Sequence, residues 1–193
     1  MTTIYFQSHL PAKYKTEKWR CMFSQWYDAN DPFLGKRSIH DLTPAAQEDY
    51  NKYINNQAFN TREEWMMVWK ALIFAKGEYR ETNLAIADQM VQSKSPKTCR
   101  SLGRKVKGYD DTIWDEWKVK VVENGNYLQF SQNQEMKKVL LDSGDREIVE
   151  AASYDSIWAV GFTESNAEAN RNKWGLNLLG KSLMNVRNIL RNE

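Results

Sequence analysis

Histidine and cysteine are scarce in this 193-residue chain, two of each, and His9, His40, Cys21 and Cys99 stand too far apart for the short ligand spacings of a zinc site. The same scarcity excludes a disulfide framework, so both cysteines are expected as free thiols in a reducing compartment. No apolar run approaches the roughly 18 residues that read as a membrane span, and the opening "MTTIYFQSHLPAKYKTEKW" lacks a basic segment followed by an apolar one. These absences predict a soluble protein of the cytoplasm, or of the nucleus in a eukaryote, with no membrane partner. None of the nine glycines builds a phosphate-binding loop or a dinucleotide fingerprint. Excess charge is also missing: 27 basic and 25 acidic residues leave +2, so any affinity for a polyanion must come from a local patch.

What is present is a core. Apolar residues make up 41% and aromatics 12%, with eight tryptophans, which sets the chain apart from disordered sequences despite 27% charge. Without a break in composition or an internal repeat, one domain over residues 1–193 is expected, its segment 1–42 the least defined. That segment carries turn formers in "YDANDPFLGKR" and reads as short strands and loops.

A helix is predicted from "TPAAQEDYNKYI", with Thr43 as cap and Pro44 at the first position, ending near Asn55. The next opens with Thr61 and Glu64 as a capping box and stops before Gly77. Ser95 and Pro96 start a short helix broken around Gly108, and a longer one runs from Asp111, weakened at Gly125. Asn133 caps "QEMKKVLLDSG". "REIVEAASYDSIWAVGF" reads as strand, loop, strand, and "TESNAEANRNK" as a polar loop. Asn177 is expected to cap a last helix with Leu179, Leu183, Val186 and Leu190 along one stripe. The class is mainly α: a single compact helical domain with a few short β-strands.

One residue breaks the pattern. In "EEWMMVWKALIFA" the ammonium of Lys70 interrupts an otherwise apolar run, and Glu63 lies two turns earlier on the same face, about 10 Å away along the axis. Two readings stand. Lys70 either snorkels along Trp69 or Phe74 to water, or is desolvated into a neutral amine able to attack an electrophilic carbon. Glu63 is correspondingly either a solvated first-turn acid or a proton shuttle. Between Ser93 and Lys107 lie six basic residues and no acid, with Lys97, Arg100 and Arg104 at helical spacing. This stripe is either a solvated face or a seat for a pyrophosphate or nucleic-acid backbone. Trp26, Tyr27, Trp114 and Trp158 are core or an aromatic wall; Asp145, Glu150 and Asp155 are turn formers or site residues.

"FNTREEWMMVWKALIF", "SPKTCRSLGRKVKGYD", "FSQNQEMKKVLLDSGDREIVEAASYDSIWAVGF" and "WGLNLLGKSLMNVR" follow one another in an order that resembles the NADAR (YbiA-like) family. "MFSQWYDANDPF" looks like that family's N-terminal aromatic Ser-Asn motif. The resemblance implies a mainly helical fold and an N-glycosidase that cleaves the bond between ribose C1 and an amine, without a metal or other cofactor. It implies Glu63 and Lys70 as catalytic residues, with Ser24, Gln25, Trp26, Arg100, Arg104, Trp114, Asp155 and Trp158 toward the substrate. The expected substrate is ADP-ribose on the exocyclic amine of guanine in DNA. The protein would act as a monomer, functionally paired with a DNA ADP-ribosyltransferase. A phosphoribosylaminopyrimidine of riboflavin synthesis, a non-catalytic ADP-ribose reader and an inert interaction domain are the alternatives. The chain departs from the family pattern at Glu64, where a histidine is usual, at Gln25 in place of asparagine, and at Ala152 and Ser153 in place of Ser-Pro.

Overall fold

The computed structural model describes residues 2–43 and 45–193. Along the chain come β1 (Ile4–Phe6), β2 (Phe33–Leu34), α1 (Gln47–Tyr53), β3 (Ala58–Phe59), α2 (Arg62–Ile73), α3 (Arg80–Ser93), α4 (Pro96–Gly103) and α5 (Asp111–Gln132). They are followed by α6 (Gln134–Asp142), β4 (Ile148–Glu150), α7 (Glu164–Ala167) and α8 (Leu178–Arg191). The architecture is mainly helical with a few short strands. Its residues group into two compact units, one of residues 28–132 and one of residues 1–27 with 133–193.

In the unit of residues 28–132, α2 is the buried centre and packs on α3, α4 and α5. Its amphipathic signal is weak because it is apolar nearly all round, and Trp65, Val68, Trp69, Ala71, Leu72 and Ile73 are all buried. Trp65 donates its indole N–H to the Val121 carbonyl at 2.8 Å. Gly125 of α5 lies directly beneath it: a Cβ there would stand 2.6 Å from the Trp65 ring. The glycine that weakens α5 on propensity is thus what lets α5 approach α2. Thr61 Oγ1 accepts the Glu64 amide at 3.2 Å as the sequence predicts, and the Glu64 carboxylate turns back to the backbone amides of Asn60, at 3.0 Å, and Thr61. β2 and β3 form a two-residue antiparallel ladder, Phe33 opposite Phe59.

In the other unit, β1 and β4 pair in parallel with Ile4 opposite Ile148, and α8 lies against β4. The expected stripe of α8 is realised: Leu179, Leu183, Val186 and Leu190 are buried. Asn133 caps α6 by accepting the Met136 amide at 2.9 Å.

Four expectations are corrected. The helix placed from Thr43 starts at Gln47, with Ala46 preceding it, so Thr43 is no cap; Pro44 lies outside the described residues. Asn177 makes no cap bond; in a left-handed conformation (φ 50°) it accepts the Glu150 amide and donates to the Ile148 carbonyl at 3.1 and 3.0 Å, tying α8 to β4. Only the first half of "REIVEAASYDSIWAVGF" is a strand, because Asp155 turns the chain at Ile157 and Trp158. "TESNAEANRNK" is α7 and a following 3-10 turn. Helix α3 was also not among the expected elements: its apolar stripe is narrow, with Ile86, Ala87 and Met90 buried.

Candidate active site

The two residues singled out on α2 are both withdrawn from water, though to different degrees. Glu63 is 6% exposed, so it is not the solvated first-turn acid that one reading allowed, and Met66 and Met67 are buried with it. Lys70 is half-buried, and its Nζ sits 4.1 Å above the Tyr109 ring, which itself packs on Phe74 at 5.4 Å between rings, and 5.8 Å from the ring of Trp114. Burial holds its pKa below that of an ordinary lysine, while the carboxylates of Asp111 and Glu63 pull it back up.

Tyr109 arrives from the loop after α4, and three features fix that loop. Asn83 of α3, wholly buried, donates to the Phe74 carbonyl at 2.7 Å and the Lys107 carbonyl at 2.9 Å, and accepts the Lys107 amide at 2.9 Å. Gly108 turns with φ +66°, and a Cβ on it would stand 2.5 Å from the Tyr79 ring. The Tyr109 hydroxyl then donates to Asp111 Oδ1 at 2.8 Å, and partial burial together with that carboxylate pushes its pKa up to about 12. Trp114, one turn into α5, is buried as the second wall.

Next to Glu63, the departure at Glu64 is matched by a cation. Glu64 is fully buried, and Lys94, itself 39% exposed, places Nζ 3.2 Å from it. Burial raises the Glu64 pKa and Lys94 opposes the rise. Cys99, buried on α4 and reached by the charges of both glutamates, has its thiol pushed up to about 12 and stays protonated. Cys21 is likewise a free buried thiol.

Of the predicted site residues, Glu63, Lys70, Arg100, Arg104 and Trp114 fall in the unit of residues 28–132, and Ser24, Gln25, Trp26, Asp155 and Trp158 in the other. Lys70 and Trp114 meet there around Tyr109, with Glu63 close enough to shift the Lys70 pKa; Arg100 and Arg104 are exposed on and after α4. Ser24 and Gln25 are buried, Ser24 Oγ accepting the Trp26 amide at 3.3 Å, and Trp26 leans on His9 at 5.8 Å between rings. Asp155 Oδ1 accepts both the Ile157 and Trp158 amides at 2.9 Å, so it is a turn former. Asp145 pairs with Arg191 at 2.7 Å. Tyr109, Asp111 and Asn83 were not anticipated. Only the helix break expected around Gly108 lay near Tyr109 and Asp111, and nothing in the sequence pointed to Asn83.

Residues 13–191 match the NADAR domain family. The chain is 34% identical over 171 residues to N-glycosidase R617 of Acanthamoeba polyphaga mimivirus, covering 86% of this chain and 85% of that protein. It is 32% identical over 108 residues to N-glycosidase Npun_R5314 of Nostoc punctiforme, covering 56% and 64%. The NMR structure of Escherichia coli YbiA shares the fold, with a TM-score of 0.63 at 18% identity over 100% of this chain and 88% of that one. The collinear blocks, the helical fold they build and a match spanning nearly every residue agree: the chain belongs to the NADAR domain family.

Proposed function

We propose that this chain removes ADP-ribose from the exocyclic amine of guanine in DNA, with Lys70 as nucleophile and Glu63 as acid and base. That it is a hydrolase of N-glycosyl bonds rests on family membership and on the N-glycosidase relatives. The observation that carries the finer reading is the setting of Lys70: a lysine amine half out of water, beside an aromatic face, on the same helix as a buried carboxylate. An amine linked to ribose C1 can open the sugar ring to an imine. Neutral Lys70 adds to that C1, Glu63 gives a proton to the departing guanine amine, and a lysine imine remains. Water then adds to the imine carbon as Glu63 takes its proton, and Lys70 leaves with the sugar released as the aldehyde or its closed ring.

A second route is favoured by the Asp111 and Glu63 carboxylates, which stabilise the ammonium form of Lys70. In that route Lys70 stays charged and orients the ribose while Glu63 activates water against an oxocarbenium-like C1. Incubation with guanine-linked ADP-ribosylated DNA, with and without borohydride, separates them. Release with a reduced adduct mapped to Lys70 supports the imine; release without one, with reductant access verified, supports direct water attack. Intact substrate together with turnover of a small phosphoribosylamine moves the activity to a metabolite, and binding of ADP-ribose without any turnover leaves a reader.

A further inference from the structure

Of the six basic residues between Ser93 and Lys107, only Lys94 is spent on an internal partner, Glu64. Among the described residues, the side chains of Lys97, Arg100, Arg104, Lys105 and Lys107 make no ion pair, and all five are exposed. The acids after this run are engaged. Asp110 accepts the Ile113 amide at 3.0 Å, Asp111 takes the Tyr109 hydroxyl, and Asp115 pairs with Lys118 at 2.5 Å. Among the described residues, five cations without an ion-pair partner thus stand on one helix and its following loop, with the carboxylates of Asp110, Asp111 and Asp115 grouped past their end around Tyr109. Two exposed rings lie beside Gly108: its chain neighbour Tyr109, 42% exposed, and Tyr79 of the turn before α3, 41% exposed. Alongside, a groove of about 450 Å³ between α3 and α4 is lined by amides and hydroxyls, Gln89, Gln92, Thr98 and Ser101 among them, with Lys105 at its edge.

We infer that α4 and the 104–109 loop form a binding track for single-stranded nucleic acid that leads to Lys70. Backbone phosphates meet the five cations and the polar groove, and unpaired bases stack on Tyr79 and Tyr109. Exposed rings at the end of a cationic run distinguish this ligand from an acidic peptide, which has nothing to stack, and from a duplex, whose bases are already stacked. Glu78 and Glu81 beside Tyr79, with Asp110, Asp111 and Asp115 around Tyr109, keep the phosphates on the α4 side and leave only the bases to reach the rings. The track rests on the DNA reading proposed above, but it can be tested apart from catalysis.

The test is fluorescence anisotropy of the full chain with an unmodified, labelled single-stranded oligonucleotide, which has no ADP-ribose to release. Five phosphate contacts predict a log K against log salt slope of about −3.5, hence a loss of about a hundredfold between 50 and 200 mM salt. Lys97→Glu with Lys105→Glu should weaken binding more than tenfold with unchanged circular dichroism and melting, and Tyr79→Ala several-fold at temperatures where circular dichroism shows it folded. Lys97 sits in the first turn of α4, where an acid suits the helix end. A slope shallower than about −1, equal binding of the duplex or of polyglutamate, or indifference to these changes overturns the track. Oligonucleotide binding without release of ADP-ribose from the modified strand would sink the glycosidase reading alone.

Discussion

Replacing Asn83 by alanine tests how the site is held together. The side chain is fully buried and makes three hydrogen bonds to backbone, at 2.7, 2.9 and 2.9 Å, joining the end of α2 to the loop that carries Tyr109. Alanine leaves two carbonyls and one amide without that partner. At roughly 0.5–1.5 kcal/mol net for each bond, the loss is about 2–4 kcal/mol. For a chain of this length, at roughly 2–4 °C per kcal/mol, the melting temperature should fall by about 4–16 °C. Asn83→Asp keeps the acceptor for the Lys107 amide but loses the donor and buries a charge, so it should cost at least as much. Because the loop also sets the ring above Lys70, borohydride trapping on Lys70 should fall in both variants at temperatures where they remain folded. Differential scanning calorimetry and intact mass read the two effects separately. A melting change under about 2 °C would refute the energetic argument; full trapping in a clearly destabilised variant would refute the claim that Asn83 positions the site.

Asp111→Asn removes a carboxylate that favours the Lys70 ammonium. Activity through the neutral amine rises as pH climbs toward the Lys70 pKa, so this limb should move to lower pH in the variant; an unmoved or upward-shifted limb counts against amine attack. Lys94→Met strips Glu64 of the cation that opposes its raised pKa. A carboxylate raised on folding contributes most below its ordinary range and loses that contribution as pH rises through it. The variant's deficit in urea unfolding should therefore be small near pH 4 and grow toward pH 7, and a deficit independent of pH would show that Glu64 is not the group responsible. Gly125→Ala forces a Cβ to within 2.6 Å of the Trp65 ring and should cost about 1–3 kcal/mol despite improving helix propensity; a stabilised variant would mean α5 can shift away.

Local chemistry made much of the fold legible. Ser95 and Asn133 cap their helices because a short side-chain oxygen reaches an amide three residues on, wherever the rest of the chain lies. Asn177 has the same chemistry, yet its amide is used across the fold on β4, a choice no sequence window contains. Helix α3 was not announced because burial of only a few residues along it, one of them the polar Asn83, suffices once α2 and α4 are in place. Asp155 was legible only as ambiguous, and the structure shows its Oδ1 accepting two backbone amides in a turn.

For the site, the sequence alone determined the anomaly: a lysine in an apolar helix with a glutamate two turns before it, and a basic run without a counter-acid. Those facts depend only on helical periodicity and residue type. The tertiary structure decided which way each was resolved. Whether an ammonium is hydrated depends on what packs over it, and here that is Tyr109, thirty-nine residues away in sequence and set in place by Asn83 and Gly108. Which cations stay without an ion-pair partner depends on where every carboxylate ends up, and only the folded chain gives Asp115 to Lys118 while setting Asp110 on an amide and Asp111 on the Tyr109 hydroxyl.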